Sequence, residues 1–181
     1  TYTGGTISQV TKDCTILADN ETQERDVINL YPAATNQTIL GFGGAITESV
    51  GYTLTQLPPA QQQAVLGACF GADWLGYTMA RTSIDSCDFS LSTYEAAGQP
   101  DTALDLSRDL SNIIPFLVSA QQHSSSPLEI MLTPWSPPAY MKDNNRRDHG
   151  GKLKPEYYAT WADYVCRYIA AYRAEGLHVS K

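Results

Sequence analysis

From Thr38 onward, short apolar runs alternate with longer stretches of helical periodicity. No other feature constrains the fold as much, because a strand followed by a crossover helix lays the next strand parallel to the first. The first unit pairs an apolar run over residues 38–46 with a helical region that Thr47 caps and that continues to Phe70. Pro58-Pro59 breaks and restarts that region, since proline is tolerated in a first turn but not inside a helix. Gly71 stands where a C-terminal cap glycine would. The second strand covers residues 77–84, and its crossover helix lies within 106–123, with Pro115 in a first turn and Ile113, Ile114, Leu117 and Val118 as its apolar face. The third strand covers 129–133. Pro155 opens the clearest helix, in which Tyr157, Trp161, Tyr164, Val165, Tyr168 and Tyr172 recur at spacings of three and four and form one wide buried stripe. Gly176 closes it, and residues 177–181 begin a fourth strand.

Three such units and the start of a fourth strand make an α/β fold equal to about half of a (β/α)8 barrel, whose usual length is about 250 residues. Half a barrel leaves its first and fourth strands as open edges with unpaired N–H and C=O groups. That favours a segment of a longer polypeptide over a small open sheet that finishes on an edge strand. Residues 1–40 read differently. They are rich in Thr, Asn and Gln, with β-type runs at 15–17 and 26–30 between polar clusters, as in a few short antiparallel strands.

Charge and cysteine usage narrow the partners. The net charge is −7, and no basic stretch is longer than Arg146-Arg147. This argues against nucleic acid and anionic membranes and fits a neutral ligand. No apolar run is long enough to span a bilayer. Residues 1–20 lack the basic and apolar regions of a signal peptide, which tips the expectation toward a cytoplasmic protein over a secreted one whose signal has been removed. Cys14, Cys69, Cys87 and Cys166 are too scattered for a C-x-x-C motif and too sparse for a disulfide framework, so buried free thiols are expected. His123, His149 and His178 have no metal-ligand spacing. Neither a metal nor a cofactor is expected.

Gly41-Phe42-Gly43-Gly44 resembles a phosphate loop only as far as Ile46, where the pattern G-x-G-x-x-G fails, and no Gly-Lys-Ser/Thr follows. This counts against an open α/β nucleotide-binding domain. Glycines inside a strand more often mark a bulge or a close approach of backbone. Barrel chemistry sits at the C-terminal ends of the strands. Thr47 and Glu48 follow the first strand, Asp85-Ser86-Cys87-Asp88 follow the second, which contains Arg81, and Pro134-Trp135-Ser136 follow the third. An Arg in an apolar inward run is costly unless a carboxylate pairs with it, and Asp85, Asp88 or a group outside this sequence would serve. On the helix-facing side its stem would instead carry the charge to solvent. Asp88 and Trp135 together are what a sugar site needs: a carboxylate accepts two vicinal hydroxyls, and an indole stacks on the C–H face. Pro134 ends the strand, while Pro137 and Pro138 keep the next residues extended, so the indole has little freedom left to lose. A core tryptophan is the alternative.

The stretches "GFGGAITES", "RTSIDSCDFS", "MLTPWSPPAYMK" and "YYATWADYVCRYIAAY", in this order and spacing, resemble the N-terminal half of glycoside hydrolase family 30. The resemblance covers residues 38–181 and implies the N-terminal half of a (β/α)8 TIM barrel, with residues 1–37 as a short preceding β-segment that packs with a C-terminal β-domain. It implies retaining hydrolysis of β-glycosides, by glucosylceramidase-like enzymes or relatives acting on β-1,6-glucans and xylosides, without a cofactor. Carried over by position, Asp88 matches the carboxylate that holds sugar hydroxyls. Trp135 matches the indole lining that subsite, and Arg81 the arginine that braces the catalytic glutamates. Tyr140 stands where relatives often have Trp. The acid/base of such enzymes sits in an Asn-Glu-Pro motif after strand four and the nucleophile after strand seven. The sequence reaches Lys181 before either, and Glu48, Glu95, Glu129, Glu156 and Glu175 match neither. The expected partners are therefore a β-glycoside and the remainder of the barrel, without which the segment is expected to be inactive. A non-catalytic carbohydrate-binding module using Asp88 and Trp135 alone is the competing expectation.

Overall fold

A computed structural model describes residues 28–181, together with the backbone of two short strands, β1 (Tyr2–Thr3) and β2 (Thr6–Ile7), which pair antiparallel. The chain divides into two compact units, Thr1–Thr38 and Ile39–Lys181, and the barrel elements all lie in the second. The run at 15–17 falls outside the described residues. Of the run at 26–30, residues 28–30 are exposed and lie outside any strand. A β-prone run becomes a strand only where a neighbour accepts its ladder bonds and covers its side chains.

The second unit contains β3 (Gly43–Ala45), α1 (Glu48–Thr55), α2 (Pro59–Phe70), β4 (Met79–Ile84), α3 (Ile114–His123), β5 (Glu129–Pro134) and α4 (Tyr158–Ala174). The sheet is parallel in the order β3-β4-β5, with Gly43 opposite Met79, Met79 opposite Glu129 and Ile84 opposite Pro134. Val179 extends it on the far side of β5 by a parallel bridge to Ile130, whose N–H donates to the His178 carbonyl at 3.0 Å. This is the α/β architecture of part of a (β/α)8 barrel, three β/α units and the opening of a fourth strand.

Three elements depart from the sequence reading. The first strand is limited to Gly43–Ala45, and Ile39, Leu40 and Phe42 before it are exposed. A Cβ on Gly43 would lie 1.9 Å from the Met79 carbonyl oxygen, so the ladder begins at a close approach that only glycine permits. Gly71 does end α2, but with extended backbone (φ −67, ψ 140), not the left-handed conformation of the usual cap. It is needed for space, because a Cβ there would meet the Gly67 carbonyl oxygen at 2.5 Å. Pro115 is not in a first turn of its helix. Helical backbone already runs at Ser107 and widens into a π-turn over Asp109–Ile113 before α3. The Ile114 N–H closes that turn on the Asp109 carbonyl, and the extra residue relieves the clash a proline ring makes with the turn before it.

Other features follow the sequence more directly. Thr47 accepts from the Val50 N–H at 3.4 Å, and Gly176 takes φ +81 after α4. Ala80, Thr82 and Ile84 of β4 and Ile130 and Leu132 of β5 are buried in the core, beside Leu66, Phe70, Ile113 and Leu117 of the helices. The alternate residues Arg81, Met131 and Thr133 occupy the opposite face. Cys69, Cys87 and Cys166 are unpaired but none is buried: Cys69 and Cys87 are half-buried, and Cys166 is exposed because it sits off the buried tyrosine stripe of α4, while Cys14 lies outside the described residues. No helix among the described residues is long and apolar enough to cross a membrane.

Polar groups lock the helical layer. Tyr164, Tyr168 and Tyr172 are fully buried, and their hydroxyls end on two buried carboxylates. Tyr164 donates to Asp85 Oδ1 at 2.6 Å and Tyr168 to Asp109 Oδ1 at 2.7 Å, where Tyr172 also donates. Burial raises the Asp109 carboxyl above its ordinary range, against the lowering effect of these hydroxyls. Burial and the negative Asp109 push the hydroxyls of Tyr168 and Tyr172 well up, so they remain donors.

A third buried carboxylate ties α1 to the helical turn that leads into α3. Glu48 Oε2 accepts from Arg108 Nη2 at 2.7 Å and from the Leu91 N–H at 2.8 Å. Burial opposes its ionisation, but the Arg108 bonds and the Leu91 N–H outweigh this and hold the carboxyl below its ordinary value. A depressed carboxyl contributes stability that is present above its unfolded pKa and lost as pH falls through the folded one. Arg108→Met is expected to destabilise the protein by about 3 kcal/mol near pH 7 by leaving a bare buried charge. Urea denaturation across pH 4–7 checks this, and the gap to the parent should shrink toward pH 4 as Glu48 in the variant takes up a proton.

Candidate functional site

The C-terminal ends of β4 and β5 carry two loops whose walls enclose a polar cleft of about 330 Å³. Ser86 and Asp88 line it from the first loop, and Trp135, Ser136, Arg147 and Asp148 from the second. A larger depression of about 430 Å³ beside β3 is apolar, lined by Ile46, Val50, Leu54, Phe70 and Phe116 without a carboxylate. Its polar lining is limited to uncharged side chains such as Thr47, Ser49 and Thr53, whereas the smaller cleft brings two carboxylates and a guanidinium beside one indole.

The first wall begins at an unusual residue. Asp85 follows β4 with φ +60, a left-handed conformation that costs a non-glycine residue of order 1 kcal/mol and persists where the surroundings over-determine it. Here they do. The carboxylate Oδ1 accepts from the Ala96 N–H at 2.9 Å and from Tyr164, Oδ2 accepts from Arg147 Nη1 at 2.9 Å, and the Asp85 carbonyl accepts from Ser83 Oγ at 2.7 Å. The chain turns sharply at Asp85, and Asp88 emerges exposed in the cleft. Among the described residues no donor engages the Asp88 carboxylate, which leaves it free to accept hydroxyls.

The second wall begins where Pro134 ends β5. Trp135 is 43 % exposed, so it is not a core tryptophan. Its ring carries the Arg81 guanidinium 4.7 Å from the centroid, and Arg81 Nε donates to Thr133 Oγ1 at 3.0 Å. Arg81 therefore lies on the sheet face away from the helices, not on a helix-facing path to solvent. Among the described residues it has no carboxylate partner: Asp85, one of the partners its position suggested, is taken by Arg147, and Asp88 is not within ion-pair distance. What neutralises its isolation is the indole face, worth about 0.5–1 kcal/mol at a partly exposed site.

Asp88 and Trp135 thus meet across one cleft, with Arg81 stacked behind the indole. Tyr140 does not join them. It packs edge-on against Tyr157 at 5.4 Å, half-buried, and it is not a wall of the cleft. Burial raises its hydroxyl above the ordinary value. The sequence reading missed Arg147 and Asp148, which line the cleft from residues 62 and more positions downstream of Asp85 in the chain. Its only trace of them was Arg146-Arg147, read as a short basic stretch. Among the described residues no group of three His, Cys, Asp or Glu side chains is placed to hold a metal ion.

The Glycosyl hydrolase family 30 TIM-barrel domain matches residues 39–180. Over 168 residues, 87% of the chain, the sequence is 31% identical to the lysosomal acid glucosylceramidase of Mus musculus and covers 32% of it. Over 160 residues, 80% of the chain, it is 31% identical to an endo-1,6-beta-D-glucanase of Neurospora crassa, again covering 32%. Among solved structures, SrfJ from Salmonella typhimurium superposes with a TM-score of 0.75 at 37% identity, covering 87% of this chain and 37% of that one. The chain spans about a third of the length of these relatives.

A half-exposed side chain that meets few neighbours contributes little to folding. Trp135→Ala is expected to lower stability by about 1 kcal/mol or less, the worth of its stack with Arg81 and a little packing. Thermal denaturation checks this: about 1 kcal/mol lowers Tm by about 2–4 °C in a chain of this size, and a clearly larger loss would make Trp135 a structural residue.

Proposed function

The chain belongs to glycosyl hydrolase family 30, and on that premise we propose that it supplies the glycone-holding side of a retaining β-glucosidase site, of which the strands that follow supply both catalytic glutamates. The observation that carries this reading is the pairing of an unengaged, exposed Asp88 with a half-exposed Trp135 across one polar cleft at the strand ends. A pyranose set on the indole presents its C–H face to the ring and its vicinal hydroxyls to the carboxylate, which can accept two at once. Both contacts fix the sugar while leaving the anomeric carbon open toward the rest of the barrel.

Chemistry then follows from geometry. In a retaining enzyme one carboxylate attacks the anomeric carbon while the other, roughly 5–5.5 Å away, protonates the leaving oxygen, and water later reverses the step. The transition state is oxocarbenium-like, and hydroxyl contacts to a carboxylate strengthen as it forms, so Asp88 acts on rate as well as on binding. Arg81, held by Thr133 and stacked on Trp135, is a cation on the sheet face away from the helices, and in this reading it would brace the glutamates. The relatives suggest two substrate classes, a glucosylceramide and a β-1,6-linked glucan, and both share the β-glucosyl glycone that this cleft would hold. The aglycone is left to other parts of the barrel.

In the full polypeptide that carries this chain, Asp88→Ala is expected to lower kcat/KM on an aryl β-glucoside by about a hundredfold or more, some 3 kcal/mol of transition-state binding. Trp135→Ala should cost at least tenfold while leaving stability nearly intact. Unchanged kcat/KM in Asp88→Ala would sink the reading. Saturable binding of a β-glucoside to residues 1–181 by themselves, in calorimetric titration, would favour a self-sufficient carbohydrate-binding module instead.

A further inference from the structure

Arg147 belongs to the loop after β5, yet its side chain is only 7% exposed and its charge is spent at the end of β4. Nη1 donates to Asp85 Oδ2 at 2.9 Å and Nη2 to the Ser86 carbonyl at 3.1 Å. The main chain of the same residue closes its own loop: the Arg147 carbonyl accepts from Ser136 Oγ at 2.7 Å and from the buried Lys142 Nζ at 3.2 Å. Asp85 does the same for the opposite wall, because the Ala96 N–H on its Oδ1 closes the loop that carries Asp88. A third bond between the loops, Ala139 N–H to Glu95 Oε2 at 2.7 Å, involves no cation.

We infer that the buried Asp85–Arg147 ion pair is a positioning device for the sugar site, setting the separation between the Asp88 wall and the Trp135 wall so that one glycone meets both. The inference rests on the reading of this cleft as the glycone site. A buried pair is a weak source of stability, since well-packed apolar replacements are often neutral or better. It is a strong source of geometry, because a planar guanidinium that must satisfy both a carboxylate and a carbonyl admits one orientation. A sugar that bridges two walls is sensitive to that: misplacement by about 1 Å costs on the order of a hundredfold in rate. Neither Asp85 nor Arg147 need touch the sugar for this to hold.

Stability and activity separate the positioning role from a merely structural one. In the full polypeptide, Asp85→Asn and Arg147→Met each leave a buried charge unpaired and should lower the denaturation midpoint. The double variant removes both charges and should regain most of that midpoint. Its kcat/KM on an aryl β-glucoside should nonetheless stay at least tenfold below the parent, with KM raised more than kcat is lowered. Parental kcat/KM in the double variant overturns the inference. Arg147→Lys gives the same comparison with the cation kept: a severalfold loss of kcat/KM at a near-parental midpoint is expected, and unchanged kcat/KM overturns it. Asp88→Ala distinguishes the two levels of the argument. If it is silent, the glycone reading fails and this inference with it. If it is damaging while the double variant is fully active, the positioning inference alone fails.

Discussion

The structure depends on the tyrosine ladder of α4 ending on buried carboxylates. Asp85 and Asp109 stand at the end of β4 and in the π-turn before α3, and both are fully buried. Taking a carboxylate out of water costs several kcal/mol, and hydrogen bonds to a charged group return roughly 1.5–3 kcal/mol each. Asp109 receives Tyr168 and Tyr172, with Tyr94 at a longer 3.4 Å. Asp85 receives Tyr164, a backbone N–H and an arginine. Since the tyrosines recur every four residues on one helix, only one register of α4 serves both acceptors. Sliding or rotating the helix would strand two charges at once. The helical layer is therefore fixed to the end of the sheet at which the cleft opens.

The same arrangement explains what could be read from the sequence and what could not. Hydrophobic period found the stripe of α4 and the positions of β4 and β5, because apolar runs and stripes report what is buried. It also singled out Trp135, since prolines on both sides of an indole restrict backbone in a way the chain itself declares. It could not say which polar atoms would meet. Arg81 could pair with Asp85, Asp88 or a group outside this sequence; in the fold it meets neither aspartate and lies on the face of Trp135. Asp85 was claimed by an arginine that seemed only a surface charge. Such pairings join residues some 60 positions apart, and no local pattern encodes them. Tyr140 had the right chemistry for a wall, but the short helical turn Ala139–Met141 turns it toward Tyr157. The π-turn was hidden for a related reason: a proline marks where a helix is disturbed, and whether the helix starts or widens there depends on what its neighbours need.

Asp109 lies in that π-turn and faces the tyrosine hydroxyls, so the irregularity at Pro115 and the polar core are one feature. An unbroken α-helix through Asp109–Ile113 would rotate the residues before Pro115 by about 100° for the residue removed. That would turn Asp109 away from Tyr168 and Tyr172. The helix gives up regular hydrogen bonding over one turn and gains an acceptor that satisfies two buried hydroxyls.

Charge in this unit is divided by accessibility, between carboxylates that the fold consumes and carboxylates that it leaves open. Asp85, Asp109 and Glu48 are buried, each saturated by donors, and each joins elements distant in sequence. Asp88 lies three residues after Asp85 and is exposed, with no donor engaging it among the described residues. The sharp left-handed turn at Asp85 produces that contrast: it buries the first carboxylate in the bonds that close both loops and swings the second into the space between them. A carboxylate already saturated by the fold has nothing to offer a ligand, and one left wholly mobile would lose entropy on binding. Asp88 avoids both limits, because the residue anchored three positions before it fixes the backbone from which it projects.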